Sequence, residues 1–90
     1  VNIDNVKGIK FTAKIPKGIS TEIFFATETA PVLSESKKFM VVSETDELTT
    51  VYIETSKNVE WKGMLKTLRF DPVTKSGNEF EVVSVELLAE

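Results

Sequence analysis

Apolar and polar residues alternate most cleanly over residues 8–15. Ile9, Phe11, Ala13 and Ile15 fall on one face, and Lys10, Thr12 and Lys14 on the other. A period of two is the signature of a strand buried on one side. Pro16-Lys17-Gly18 closes it, because proline has no N–H for a ladder and glycine accepts a turn. Residues 20–27 form the next strand. Ile23, Phe24 and Phe25 are consecutive there, which requires either cover on both faces or a bulge that shifts the phase. Two packed sheets bury one of the two phenylalanines, and the other needs a covering loop or a partner.

Residues 28–38 are polar, contain Pro31 and read as a long loop with room for one helical turn, with Val32 and Leu33 tucking it against the body. Phe39-Met40-Val41-Val42 lies in a third strand over residues 37–43. After the acidic turn Glu44-Thr45-Asp46-Glu47, a fourth strand covers residues 48–55, with Val51 and Ile53 on one face and Thr50, Tyr52 and Glu54 on the other. Residues 56–60 are a loop. The fifth strand runs from Leu65 to Asp71 and stops at Pro72. A turn with Gly77 at a position of positive φ leads to the sixth strand, residues 79–88, whose phase changes near Val82-Val83, as either a bulge or a strand buried on both sides requires. The first seven residues read as a polar lead-in with a turn at Asp4-Asn5.

Six short strands, with turn signals between them and no sustained helical period, predict an all-β antiparallel sandwich. The 90 residues form one domain. Composition narrows the chemistry. There is no Cys and no His, so disulfides, thiolate and imidazole metal sites and Ser-His triads are excluded. No apolar run approaches the roughly 20 residues of a membrane-spanning helix. The net charge of −3 gives no footprint for nucleic acid. Charge is nonetheless uneven: residues 1–20 carry four Lys against one Asp, and residues 21–60 carry eight acids against three Lys.

The stretch Trp61-Lys62-Gly63-Met64-Leu65-Lys66-Thr67-Leu68-Arg69-Phe70-Asp71-Pro72 is the most patterned in the chain. Together with the last strand it resembles the C-terminal end of bacterial jelly-roll, carbohydrate-binding-module-like (galactose-binding-like) domains. Those domains share a Trp-x-Gly, an apolar strand ending in Arg-apolar-Asp-Pro, a glycine turn and a final Phe-led strand. The resemblance is strong over Trp61 to Leu88 and extends weakly to most of residues 7–88. Two departures stand out. Val83 and Ser84 replace an Asp and an aromatic of the family's last strand, and the family places at least one strand ahead of the segment that starts at Val1. The resemblance therefore implies a jelly-roll-like sandwich lacking an N-terminal edge strand, completed by other domains of a longer chain or by a second copy. It also implies a non-catalytic glycan-binding or accessory module of a secreted or cell-surface bacterial protein. A structural sandwich that mediates domain packing or oligomerisation without a ligand is the alternative.

Candidate residues follow from the chemistry of sugar recognition, which joins an aromatic face to flanking polar groups. Trp61 and Tyr52 are the candidate platforms. Trp61 also suits a core-capping role with Gly63 giving it room, and Tyr52 also suits a sheet rim. Arg69, Lys10 and Thr12 are the candidate polar partners, although such residues line any solvated sheet face. Asp71 has a simple role in ending its strand by bonding the turn backbone. A structural calcium held by Asp4, Asp71, Glu79 or Glu81 is a further candidate, unsupported by any Asp-x-Asp pattern. The fourteen acids form no recognisable catalytic pair, so the expectation is a protein without enzymatic activity.

Overall fold

A computed structural model describes residues 1–89. Six strands form: β1 (Val6–Lys14), β2 (Ser20–Thr27), β3 (Lys38–Val42), β4 (Thr49–Glu54), β5 (Leu65–Asp71) and β6 (Glu81–Ala89). They build two three-stranded antiparallel sheets, ordered β4-β1-β6 and β3-β2-β5, which pack face to face. The chain changes sheet at every connection except β2 to β3, so the central strands β1 and β2 come from adjacent sequence but lie in opposite layers. Among the described residues the one helical element is a single 3-10 turn, Thr55–Lys57.

The core is the set of inward faces. From β1 come Ile9, Phe11 and Ala13, and from β2 Ile23 and Phe25, all essentially sealed from solvent. The aromatic centre is Phe25, stacked on Phe39 with ring centroids 5.5 Å apart and met edge-on by Trp61 at 5.0 Å. Phe11 meets Phe70 edge-on at 5.3 Å and ties β1 to β5 across the layers. Edge-to-face pairs of this kind add to the area they bury, because each ring's positive rim meets the other's negative face.

Local sequence explains each phase change. β2 pairs in unbroken register with β3 through Ile23-Phe24 and with β5 through Ile23-Phe24-Phe25, so no bulge is present there. Phe25 points inward. Phe24 points outward and is covered by cations, with the Arg69 guanidinium 4.5 Å and the Lys38 amine 5.6 Å from its ring centre. Lys38 is held in place by Glu22 and Glu35, and hydrogen bonds to these two carboxylates raise its pKa above the ordinary value. Of the two readings of the phase change in the last strand, the structure adopts the bulge: Thr12 opposes Ser84 while Ala13 opposes Val82, which leaves Val83 as the extra residue.

Several expectations are corrected. Residues 28–38 contain no helical turn, and Val32 is exposed rather than tucked in. The loop is closed instead by Lys37, which is buried and donates its amine to the Ala30 carbonyl at 3.0 Å. The lead-in is not merely polar. Ile3 is fully buried, and the Val6 N–H donates back to the Ile3 carbonyl at 3.1 Å across the Asp4-Asn5 turn. Val1 and Ile3 alternate with Asn2 and Asp4, but two apolar residues before a turn are too short a run to mark a strand face, and only Ile3 is buried. Gly63 does not make room for Trp61, since a side chain there would touch nothing within 4 Å. Its φ of +85° is what requires glycine. Asp71 does not bond the turn backbone; it pairs with Arg69 at 3.0 Å, and the turn is held by the Thr21 hydroxyl, which donates to the Pro72 carbonyl at 2.8 Å.

Candidate functional site at the seam between β3 and β4

The sequence-derived candidates do not converge on one place. Trp61 lies inside the core, 8% exposed. Its indole N–H donates to the Val6 carbonyl at 3.1 Å, and its ring is packed edge-on against Phe25 and Phe39. An indole enclosed in this way presents no face to a sugar. The same carbonyl accepts the buried Thr55 hydroxyl at 2.9 Å. Two side-chain donors on one acceptor make a testable redundancy. Thr55→Val and Trp61→Phe each leave one donor in place, whereas the double variant leaves neither. The double variant is expected to lose about 1–3 kcal/mol more than the sum of the singles, measured by a denaturation cycle. Simple additivity would mean that the carbonyl does not depend on this pair.

Arg69 lies on the outer face of the β3-β2-β5 sheet, over Phe24 and paired with Asp71. Lys10, Thr12 and Tyr52 lie on the outer face of the other sheet. The register sets this directly, because Lys10 opposes Tyr52 and Thr12 opposes Thr50. The Lys10 amine stands 5.9 Å from the Tyr52 ring centre, and the Thr12 and Thr50 hydroxyls share a hydrogen bond at 2.9 Å. Tyr52 is 68% exposed, so its ring is the open aromatic surface of this sheet.

Tyr52 also marks an opening in the sandwich that pattern reading did not locate. β3 and β4 are both edge strands, and between them lies a cleft of about 460 Å³. Buried Phe11, Ala13 and Ile15 contribute its apolar lining, with Ser43, Thr45, Thr49 and Tyr52 supplying polar groups. A second cleft of about 510 Å³ continues on the other side of Tyr52, lined by Lys38, Met40, Glu54 and Asn58 among others. Val41 and Tyr52 border both. The seam is thus an extended groove with an apolar interior, a tyrosine at its middle and one carboxylate lining each half, Glu44 and Glu54. Such a groove suits an extended ligand with alternating apolar and hydroxylated surfaces. The polar phase of the fourth strand marked Tyr52 and Thr50 in the sequence, but not the gap itself, which depends on which strands become edges.

The acids named for calcium are dispersed. Asp4 accepts the Gly63 N–H at 2.8 Å, and Asp71 is paired with Arg69. Glu79 and Glu81 line a third cleft, of about 530 Å³, beside Lys14 and Asp46. Among the described residues no three His, Cys, Asp or Glu side chains group closely enough to hold a metal. No buried side-chain nitrogen or oxygen among the described residues lacks a hydrogen-bond partner. Comparison with family models, with curated proteins and with solved structures yields no match. The class that the fold itself defines is the small antiparallel β-sandwich.

Proposed function

We propose that this domain is a non-catalytic glycan-binding or accessory module of a secreted or cell-surface bacterial protein, acting beside other domains or a second copy. The observation that carries the reading is Tyr52: an open aromatic ring between two clefts, with the Lys10 ammonium and the Thr12 and Thr50 hydroxyls on the same face. A tyrosine ring can pack against the C–H face of a pyranose while its hydroxyl and the neighbouring polar groups bond the sugar hydroxyls. Arg69 and Trp61 have no part in this site.

Affinity electrophoresis against a panel of polysaccharides tests the reading. The wild type is expected to be retarded by at least one polymer. Tyr52→Ala is expected to weaken that binding about tenfold, the usual loss when a central aromatic anchor is truncated. Trp61→Phe, which changes only the core, is expected to leave binding unchanged. Absence of retardation by any polymer would sink the proposal.

One observation favours the alternative, an interaction sandwich without a ligand. Phe80 and Val83 are exposed near and on β6, an edge strand, and apolar residues at a sheet edge are a common meeting surface between chains. Sedimentation showing a monomer at all concentrations would count against self-association through that edge.

A further inference from the structure

β5 is paired with β2 along one side. On its other side a short length of chain is already attached. The Leu65 N–H donates to the Val1 carbonyl at 2.7 Å and the Ile3 N–H to the Gly63 carbonyl at 2.8 Å, around an antiparallel bridge of Asn2 with Met64. The attachment is anchored. Ile3 is fully buried, and the Asp4 carboxylate accepts the Gly63 N–H at 2.8 Å. Antiparallel pairing has a direction. Since Asn2 lies beside Met64, backbone traced backward from Val1 heads along Lys66 toward Asp71. No other strand pairs with that stretch of the β5 edge among the described residues.

The interior beside this edge is also unfinished. Leu68 and Phe70 of β5 are only half-buried, although their partners Phe25 and Ile23 on β2 are sealed. In the opposite sheet Val82 and Val85 of β6 remain 37% and 36% exposed, although they pair with buried Ala13 and Phe11. One more strand outside β5 would cover this side of the sandwich.

We propose that the free edge of β5 is the seat of one further antiparallel strand, formed by polypeptide continuous with the amino end of Val1. Its inward side chains cover Leu68 and Phe70. About six residues suffice, the common length of a strand. A strand in the same chain is favoured over one from a second copy for two reasons. Its register is already set by Val1 and Asn2, and it avoids the loss of translational and rotational freedom that association in trans carries. A strand in trans would also find Met64 and Leu65 occupied. The inference stands apart from the glycan reading, since the edge lies across the fold from the β3–β4 seam.

The test extends the chain upstream of Val1 by six residues of alternating threonine and valine, in the two opposite phases, with an alternating threonine–proline extension as control. Hydrogen exchange of the Lys66–Asp71 amides is read by NMR, with Trp61 fluorescence confirming the fold. One valine phase is expected to slow exchange by about tenfold or more at a constant monomeric mass, because only one phase turns the valines inward. The proline extension, which cannot donate to a ladder, is expected to leave the rates unchanged. Equal effects of both phases, no effect of either, or a slowing that appears only as protein concentration rises would overturn the proposal.

Discussion

Trp61→Ala is expected to destabilise the domain by about 3–5 kcal/mol, the range for removing a large buried aromatic. Three losses coincide at this residue. The void opens against Phe25 and Phe39, whose rings lie 5.0 and 5.5 Å from the indole. The Val6 carbonyl loses its indole donor and keeps Thr55 as its side-chain donor. The segment from Asn58 to Gly63 then loses the anchor that seats Gly63 against Ile3 and Asp4. Small domains have only about 5–15 kcal/mol of total stability, so a loss of this size is expected to lower the urea midpoint steeply. Circular dichroism is the appropriate probe, because the variant has no tryptophan to report. A midpoint close to that of the wild type would place Trp61 at the surface after all, and would reopen it as a sugar platform.

Phe25→Ala is expected to cost a similar 3–5 kcal/mol, whereas Phe24→Ala costs about 2 kcal/mol. The two residues are neighbours of identical chemistry on opposite faces of one strand. Phe25 is fully enclosed between Phe39 and Trp61, and truncating it leaves a dry cavity at the aromatic centre. Phe24 is covered by the stems and charged heads of Arg69 and Lys38. Those flexible side chains and water can refill the space, so the loss is mainly the ring's burial and its attraction to the cations. The Phe24→Ala effect is also expected to shrink at high salt, while the Phe25→Ala effect does not. Thermal denaturation of both variants at low and high ionic strength measures the difference. The reverse ranking would mean that the inward face of β2 has been assigned the wrong way round.

That pair shows what kind of information pattern reading contains. Alternation in residues 8–15 named the inward face of β1 correctly, because period two is a property of the strand itself and needs no partner. Phe24-Phe25 breaks the alternation, and from the sequence both a bulge and two-sided cover remained open. The answer depends on Lys38 and Arg69, which arrive from β3 and β5 on either side. Cover from strands that are 14 and 45 residues away in the chain is not visible in a local window. The same holds for Ile3, which shares its phase with Val1 yet is buried while Val1 stays exposed, at a point where its N–H donates to the distant Gly63 carbonyl.

The candidate site divides in the same way. Lys10, Thr12 and Tyr52 share a face by strand parity and by the β1–β4 register, and parity was legible. Trp61, Arg69 and Tyr52 could be grouped only by chemical type, and the fold places them in three separate environments: core, one outer face and the other. The acids named for calcium are spread for the same reason, since residue type does not say which loops meet.

By itself, the sequence determined an all-β chain of six strands, their approximate limits, the inward face of the first, the change of phase near Val83 and the absence of Cys and His chemistry. Those properties depend on backbone stereochemistry and on residues two apart. The tertiary structure alone decided that β3 and β4 are edges with an open seam between them. It alone sank Trp61 into the core and attached Val1 and Asn2 beside β5. Those outcomes depend on which distant strands share backbone hydrogen bonds. That choice is made by the summed burial of both sheets, and no local pattern carries it.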